Sequence, residues 1–294
     1  MGTPMTAQAS PGNTEKFDIK AFALELRQDI EQNRIRLPTL PTISLEALLV
    51  VNDADSNMTD IARIIAKDTS MATRLVRYGN SPLYGGANKV TSVKGAVIRI
   101  GVAAVRSAIL NLAMHDVFTT HLKPIQERME GLWRHSVAVA IRAVLLTSYF
   151  KQLDSGEAML AGLIHDVGTI PVLIKAREYP VLLDNGRNLD KLVSRVHMSL
   201  GKFILFHWNF EPFLIDVAGS HDNLGRDSRG KDVDYVDIIQ VANVLSYDGT
   251  DHPYTRLDLS KIPVFEKLGI DLIEEVRLRI ATGEYASELT AALQ

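Results

Sequence analysis

The sequence predicts an all-α protein, and three observations carry that expectation. Apolar residues recur at three- and four-residue spacing over most of the chain. Asp, Asn, Ser and Thr stand repeatedly at the starts of those runs, where a side-chain oxygen can accept the unpaired N–H groups of a first helical turn. No stretch alternates apolar and polar residues as a half-buried strand would. The 294 residues are 46% hydrophobic and 23% charged, which suffices for a substantial core.

Residues 1–16 hold Gly, Thr, Pro, Ser and Asn without an apolar segment, so they are expected to be a flexible tail rather than a signal peptide. Helical periodicity begins at Phe17, with Ile19, Phe22, Leu26 and Ile30 on one face. Asp18 is expected as the cap and Phe17 as a hydrophobic staple on Phe22. The prolines in Leu37-Pro38-Thr39-Leu40-Pro41 force an extended segment, after which Thr42 is expected to cap a helix carrying Ile43, Ala47, Leu48 and Val51. Short helices then follow from Ser56 or Asn57, from Asp68 and from Ser92, the last stopping at Gly101. Between them lies the turn-rich Asn80–Gly86, where Asn80, Tyr84 and Arg99 are candidates for an interaction surface and Tyr84 equally for a packing anchor. A longer helix is expected over Val102–Phe118.

The second half opens near Lys123. Trp133 to Tyr149 is apolar nearly all round, which reads as a central buried helix. Its greasiest part, Val137–Leu146, is interrupted by Arg142 and too short to span a bilayer, so no membrane segment is expected and the localisation is read as cytoplasmic. Asp154-x-x-Glu157 resembles a capping box for a helix ending in His165-Asp166. Helices are expected at roughly 189–207, 211–221 and 233–247, and a last one opened by Asp271-x-x-Glu274.

Composition excludes several functions. Without cysteine there are no disulfides, thiolate metal sites or cysteine nucleophiles. A formal charge of -3 and no basic stripe interleaved with aromatics argue against nucleic-acid binding. What remains is a set of histidines: His135, His165, His197 and His221, with Asp166 beside His165. Imidazole nitrogen and carboxylate oxygen together make a donor set for metals that activate water against phosphate esters. Neighbours in sequence diverge by roughly 100° on a helix, so His165 and Asp166 can share an ion only at a helix end, where the chain turns at Gly168. The other histidines would converge from separate helices. His115, His121, His207 and His252 read as ordinary structural or surface histidines. Asn243 shares a face with Val236 and Ile239, so it should point inward and have its amide satisfied by Asp166 or a histidine.

Order and surroundings make this pattern specific. Leu37-Pro38-Thr39-Leu40-Pro41, Ile61–Asp68, Leu75–Ser81, Ala96–Gly101, Leu132–Ser136, Ala161–Gly168, His197-x-x-x-Gly201, Trp208-Asn209-Phe210-x-Pro212 and Gln240–Asn243 together resemble an HDOD domain over about residues 20–250. The resemblance implies a multi-helix bundle: an N-terminal helical lobe (17–121), an HD-like lobe (122–250) and a C-terminal helical extension (251–294). It implies a bacterial signal-transduction or regulatory protein acting through a protein partner or a ligand such as a nucleotide second messenger. The related HD superfamily enzymes, including HD-GYP cyclic dinucleotide phosphodiesterases, make a metal-dependent phosphohydrolase the alternative. Carried over, the metal positions are His135, His165, Asp166, His197, His221 and Asn243. Three departures imply a non-catalytic remnant: Asn243 stands for an aspartate, Thr169 for a lysine, and Ser220-His221 for paired histidines. No catalytic residue and no required cofactor are then expected, and at most a single divalent transition metal (Fe, Mn, Ni or Zn).

Overall fold

The structure is a computed structural model that describes residues 18–32, 34, 41–53, 55–86, 88–120, 122–183 and 186–293, and among these there is no strand. The Phe17 staple, the extended run 37–40 and His121 lie outside the described residues.

The first six helices are α1 (Ile19–Glu31), α2 (Thr42–Asn52), α3 (Met58–Ile65), α4 (Thr69–Gly79), α5 (Val93–Ile100) and α6 (Val102–Phe118). Asp18, Asn57, Asp68 and Ser92 cap them as their positions predict, each accepting backbone N–H groups of the first turn. Thr42 is not a cap. Pro41 takes that place with ψ near 143°, which leaves Thr42 as the first helical residue and the end without a side-chain acceptor. Asn80, Tyr84 and Arg99 serve packing. The Asn80 amide grips both the N–H and the carbonyl of Val90, and Arg99 donates to Asn80 Oδ1 at 2.8 Å. Tyr84 packs its ring on buried Tyr78.

The remaining helices are α7 (Lys123–Thr147), α8 (Ser155–Ile164), α9 (Thr169–Ala176), α10 (Pro180–Leu183), α11 (Gly186–His207), α12 (Pro212–Ser220), α13 (Tyr235–Ser246), α14 (Pro263–Leu268), α15 (Ile270–Ala281) and α16 (Glu284–Leu293). Helix α7 begins ten residues before Trp133, because Pro124 sets the first turn and Ile125 and Met129 extend the buried face backwards. It is the central helix, in contact with α6, α8, α9, α13, α15 and α16. The Asp154 box is half formed. Its carboxylate accepts the Glu157 N–H at 2.9 Å, but the Glu157 side chain accepts from Tyr235 instead. Asp271 lies within the first turn of α15 rather than capping it, since Gly269 precedes the helix with φ 85°. Ser155–Ala176 has the length and apolarity of a membrane span, yet 83% of its 18-residue apolar window is buried inside the protein.

Two close approaches position the site. A Cβ on Gly162 would lie 2.5 Å from the Ala140 Cα, so only glycine lets α8 cross α7 at that distance. Gly168, in the turn after α8, is pressed against the α11 backbone at His197 and Gly201. Helix α1 contacts α9 and α11, and a buried cation joins it to α9: Lys175 Nζ donates to Glu25, Asp29 and Glu178 at 2.8, 2.6 and 2.8 Å. Asp237 in α13 is fully buried and accepts from Arg226, Ser228 and Lys267 at 2.6 Å each, which ties α13 to α14.

Candidate metal centre

Three helices and one turn bring the predicted histidines together. His135 projects from α7, His197 from α11, and His221 follows α12 as its terminal residue. Helix α8 stops at Ile164, so His165 and Asp166 occupy the turn that ends at Gly168 and both reach the same cavity.

The imidazoles form two pairs. His135 Nε2 lies 3.2 Å from His165 Nε2, and His197 Nε2 lies 3.2 Å from His221 Nε2. Asp166 sits between them. Its Oδ2 is 3.7 and 3.5 Å from the first pair, and its Oδ1 is 3.5 and 3.2 Å from His197 and His221. The donor atoms of each pair and Asp166 lie within 4.8 Å of one another, so two metal-sized groups share one carboxylate.

Backbone geometry sets the ring orientations. His165 Nδ1 donates to Gly162 O at 2.8 Å, His197 Nδ1 to Val193 O at 2.8 Å and His221 Nδ1 to Val217 O at 3.2 Å. A carbonyl only accepts, so each of these Nδ1 atoms carries its proton and each Nε2 of a neutral ring turns a lone pair inwards. Two inward lone pairs at 3.2 Å repel unless a proton or a cation lies between them. The surrounding charges favour a proton on one ring of each pair. Burial opposes charge on His197, but its hydrogen bond to Asp222 and the field of Asp166 outweigh that and raise it to about 8. In His165 the Asp166 carboxylate likewise overcomes burial and raises the ring, whereas burial together with charged His165 drives His135 down to about 4. Asp166 itself is held well below the usual carboxylate range. Burial acts against its charge, and the imidazoles of His165 and His221 prevail.

The surroundings contain groups that sequence reasoning did not select. Asp222 Oδ2 stands 3.3 Å from His197 Nε2, and its Oδ1 accepts the Asn243 amide at 2.8 Å and the Tyr254 hydroxyl at 3.0 Å. Burial opposes its charge, but His197 and His221 pull it down to about 2. Asn243 therefore points inward as expected, but its partner is Asp222, not Asp166 or a histidine, because α13 faces the residue after His221. Its Oδ1 and the Thr169 hydroxyl are buried without a protein partner. His252 is no ordinary surface histidine: it lines the cavity and stacks on Tyr247 at 3.6 Å between centroids, with Tyr247 stacked in turn on His135. His207 is exposed, and His115 packs edge-on against Trp133.

The cavity over this cluster measures about 450 Å³ and is lined among others by Arg128, Leu132, Thr169, Asp190 and Ser194. Arg128 is the single guanidinium or ammonium among the lining residues, and it is engaged with Asp190 at 2.8 Å. The residues present fit a divalent metal. Imidazole Nε2 atoms and carboxylate oxygens converge, and an orphaned amide oxygen, Asn243 Oδ1, lies beside them.

A family model, that of the HDOD domain, matches residues 37–224. No functionally curated protein matches the chain. Among solved structures, a candidate metal-dependent phosphohydrolase from Shewanella amazonensis SB2B is 27% identical with a TM-score of 0.80, over 94% of this chain and 99% of that one. An HDOD domain protein of unknown function from Geobacter sulfurreducens is 22% identical with a TM-score of 0.66, over 93% and 98% of the two chains. A candidate signal transduction protein from Marinobacter aquaeolei VT8 is 18% identical with a TM-score of 0.58, over 94% of this chain and 66% of that one. With nearly two thirds of its length matched by the family model and its histidines gathered at one turn, the chain belongs to the HDOD domain family.

Proposed function

We propose that this protein is a bacterial, cytoplasmic signal-transduction module whose pocket holds divalent metal and, through it, a phosphoryl-bearing small ligand, with binding rather than rapid hydrolysis as its output. One observation carries the reading: two histidine pairs face the two oxygens of one carboxylate, Asp166. In place of the single ion expected from the sequence, this arrangement favours two. His135, His165 and Asp166 hold the first, and Asp166, His197 and His221 the second. Bound there, the ions supply Lewis acidity towards a phosphoryl oxygen. The chain's own residues orient that ligand and hold protons: the carbonyls of Gly162, Val193 and Val217 lock the rings, and the cavity admits a nucleotide-sized guest.

Slow chemistry follows from what faces the ligand. Thr169 offers a hydroxyl where a cation would stabilise developing charge, and Arg128 is committed to Asp190. The second reading, a metal-dependent phosphohydrolase, is favoured by the convergence of four histidines on Asp166 and by the 27% identical relative named for that activity. Equilibrium binding of a nucleotide and cyclic dinucleotide panel to manganese-loaded and metal-free protein separates the two. Metal-dependent binding is expected, with turnover at least about a hundredfold below the ordinary range of about 1–10³ per second. Turnover within that range would establish the hydrolase. Ligand binding indifferent to metal would sink both readings.

A further inference from the structure

Both oxygens of the Asp222 carboxylate have identified partners. Oδ1 is fixed by two donors, the Asn243 amide at 2.8 Å and the Tyr254 hydroxyl at 3.0 Å, which arrive from α13 and from the turn Pro253–Arg256. That double clamp leaves Oδ2 facing His197 at 3.3 Å, on the inner side of the cavity. Among the described residues, the carboxylate within 4 Å of His135 and His165 is that of Asp166. The two halves of the centre therefore differ by one negative charge.

We infer that Asp222 is a metal ligand of the His197–His221 half alone, that Asn243 and Tyr254 are its positioning residues, and that this half binds the tighter of two ions. The inference rests on the metal-centre reading above and adds an order of filling to it. A hard carboxylate beside two imidazoles raises affinity for a divalent ion by direct charge attraction. Its orientation is pre-set, so less ordering remains to be done when the ion enters. The anion expected to be missing at Asn243 is thus present one residue after His221. Asparagine at 243 is what such a placement requires, because an aspartate 2.8 Å from Asp222 would set two like charges in contact. Tyr254 belongs to the segment 251–294, beyond the residues matched by the family model, so part of the support for the centre comes from outside that match.

Calorimetric titration of metal-free protein with Mn(II) tests this, with the absorption spectrum of the Co(II)-substituted protein as a second readout. Wild type should show two affinity classes. Asp222→Asn should weaken the tight class by about 100-fold or more, and Tyr254→Phe by about 10-fold, with the weak class unmoved in both. His135→Ala should remove the weak class and keep the tight one. The exchange Asp222→Asn with Asn243→Asp restores a clamped carboxylate and should recover the tight class in part. Two classes unchanged in Asp222→Asn, or loss of the tight class in His135→Ala, would overturn the inference while leaving the metal centre intact. A wild type that takes up no metal would end both. Should Asp222→Asn fail to fold, Tyr254→Phe carries the test, since it removes one hydroxyl and keeps the ring: a tight class of unchanged affinity there counts against the clamp.

Discussion

Gly168→Ala is expected to destabilise the protein by about 3 kcal/mol and to weaken metal binding at the same time. A Cβ at this position would lie 2.0 Å from the His197 carbonyl oxygen and 2.4 Å from the Gly201 nitrogen. Both are backbone atoms of α11, so no side-chain rotation relieves the overlap and the helix itself must move. His197 moves with it, and the His197–His221 pair opens. Gly201→Ala is the control on the same helix. Its Cβ would meet the Ala218 Cβ at 3.3 Å, a contact that small shifts absorb, and the cost should stay under about 1 kcal/mol. Urea unfolding of the three proteins measures both effects, and equal midpoints for wild type and Gly168→Ala would refute the packing argument.

Lys175→Met is the second large effect, expected at about 3–5 kcal/mol near pH 7. The ammonium is 4% exposed and satisfies Asp29, itself 6% exposed, together with Glu25 and Glu178. Methionine keeps most of the volume but strands the Asp29 carboxylate with Arg34 as its remaining charged partner. Hydrogen bonds from Lys175 hold the Glu25 and Asp29 carboxyls below their ordinary range. Depressed carboxyl values mean that this stability is present at neutral pH and is lost as acid protonates the folded state. The gap between wild type and Lys175→Met should therefore close as pH falls below the ordinary carboxylate values. Adding Asp29→Asn to Lys175→Met should recover much of the loss, because the stranded charge is gone. A full loss retained in that double variant would show that methionine disturbs packing instead.

Much of the fold was legible because its signals are local. Asp18, Asn57, Asp68, Ser92 and Asp154 announce helix starts through their own side chains, and each accepts a first-turn N–H, although the box read at Asp154 is only half formed. The helices that escaped notice lack that signal. Helix α9 follows Gly168, which offers no side-chain acceptor, and α14 follows Ile262, which has none either. Their existence is decided by what they bury, not by how they begin. Helix α16 follows Gly283, and its contacts are with α4, α6, α7 and α15, distant in sequence except the last.

The site divides the same way. His135, His165, Asp166, His197 and His221 stand out in sequence because polar residues in apolar helices need a reason. Asp222 did not stand out, because an acidic residue at a helix end is ordinary and only the fold brings Asn243 and Tyr254 onto it. Nor could spacing reveal that Asp166 serves two histidine pairs, which depends on how α7, α11 and α12 converge on one turn.

The central claim is that these inward-facing nitrogens await cations. The most direct measurement is a Mn(II) titration of metal-free protein at several pH values, in buffers that differ in ionisation enthalpy so that released protons are counted. With His197 raised to about 8, the His197–His221 pair holds a proton at pH 7 that metal must displace. The account predicts two ions per chain, about one proton released at pH 7, and affinity for the His197–His221 half that climbs by about tenfold per pH unit up to about pH 8. Absence of saturable uptake, or uptake that releases no proton and ignores pH, would contradict it.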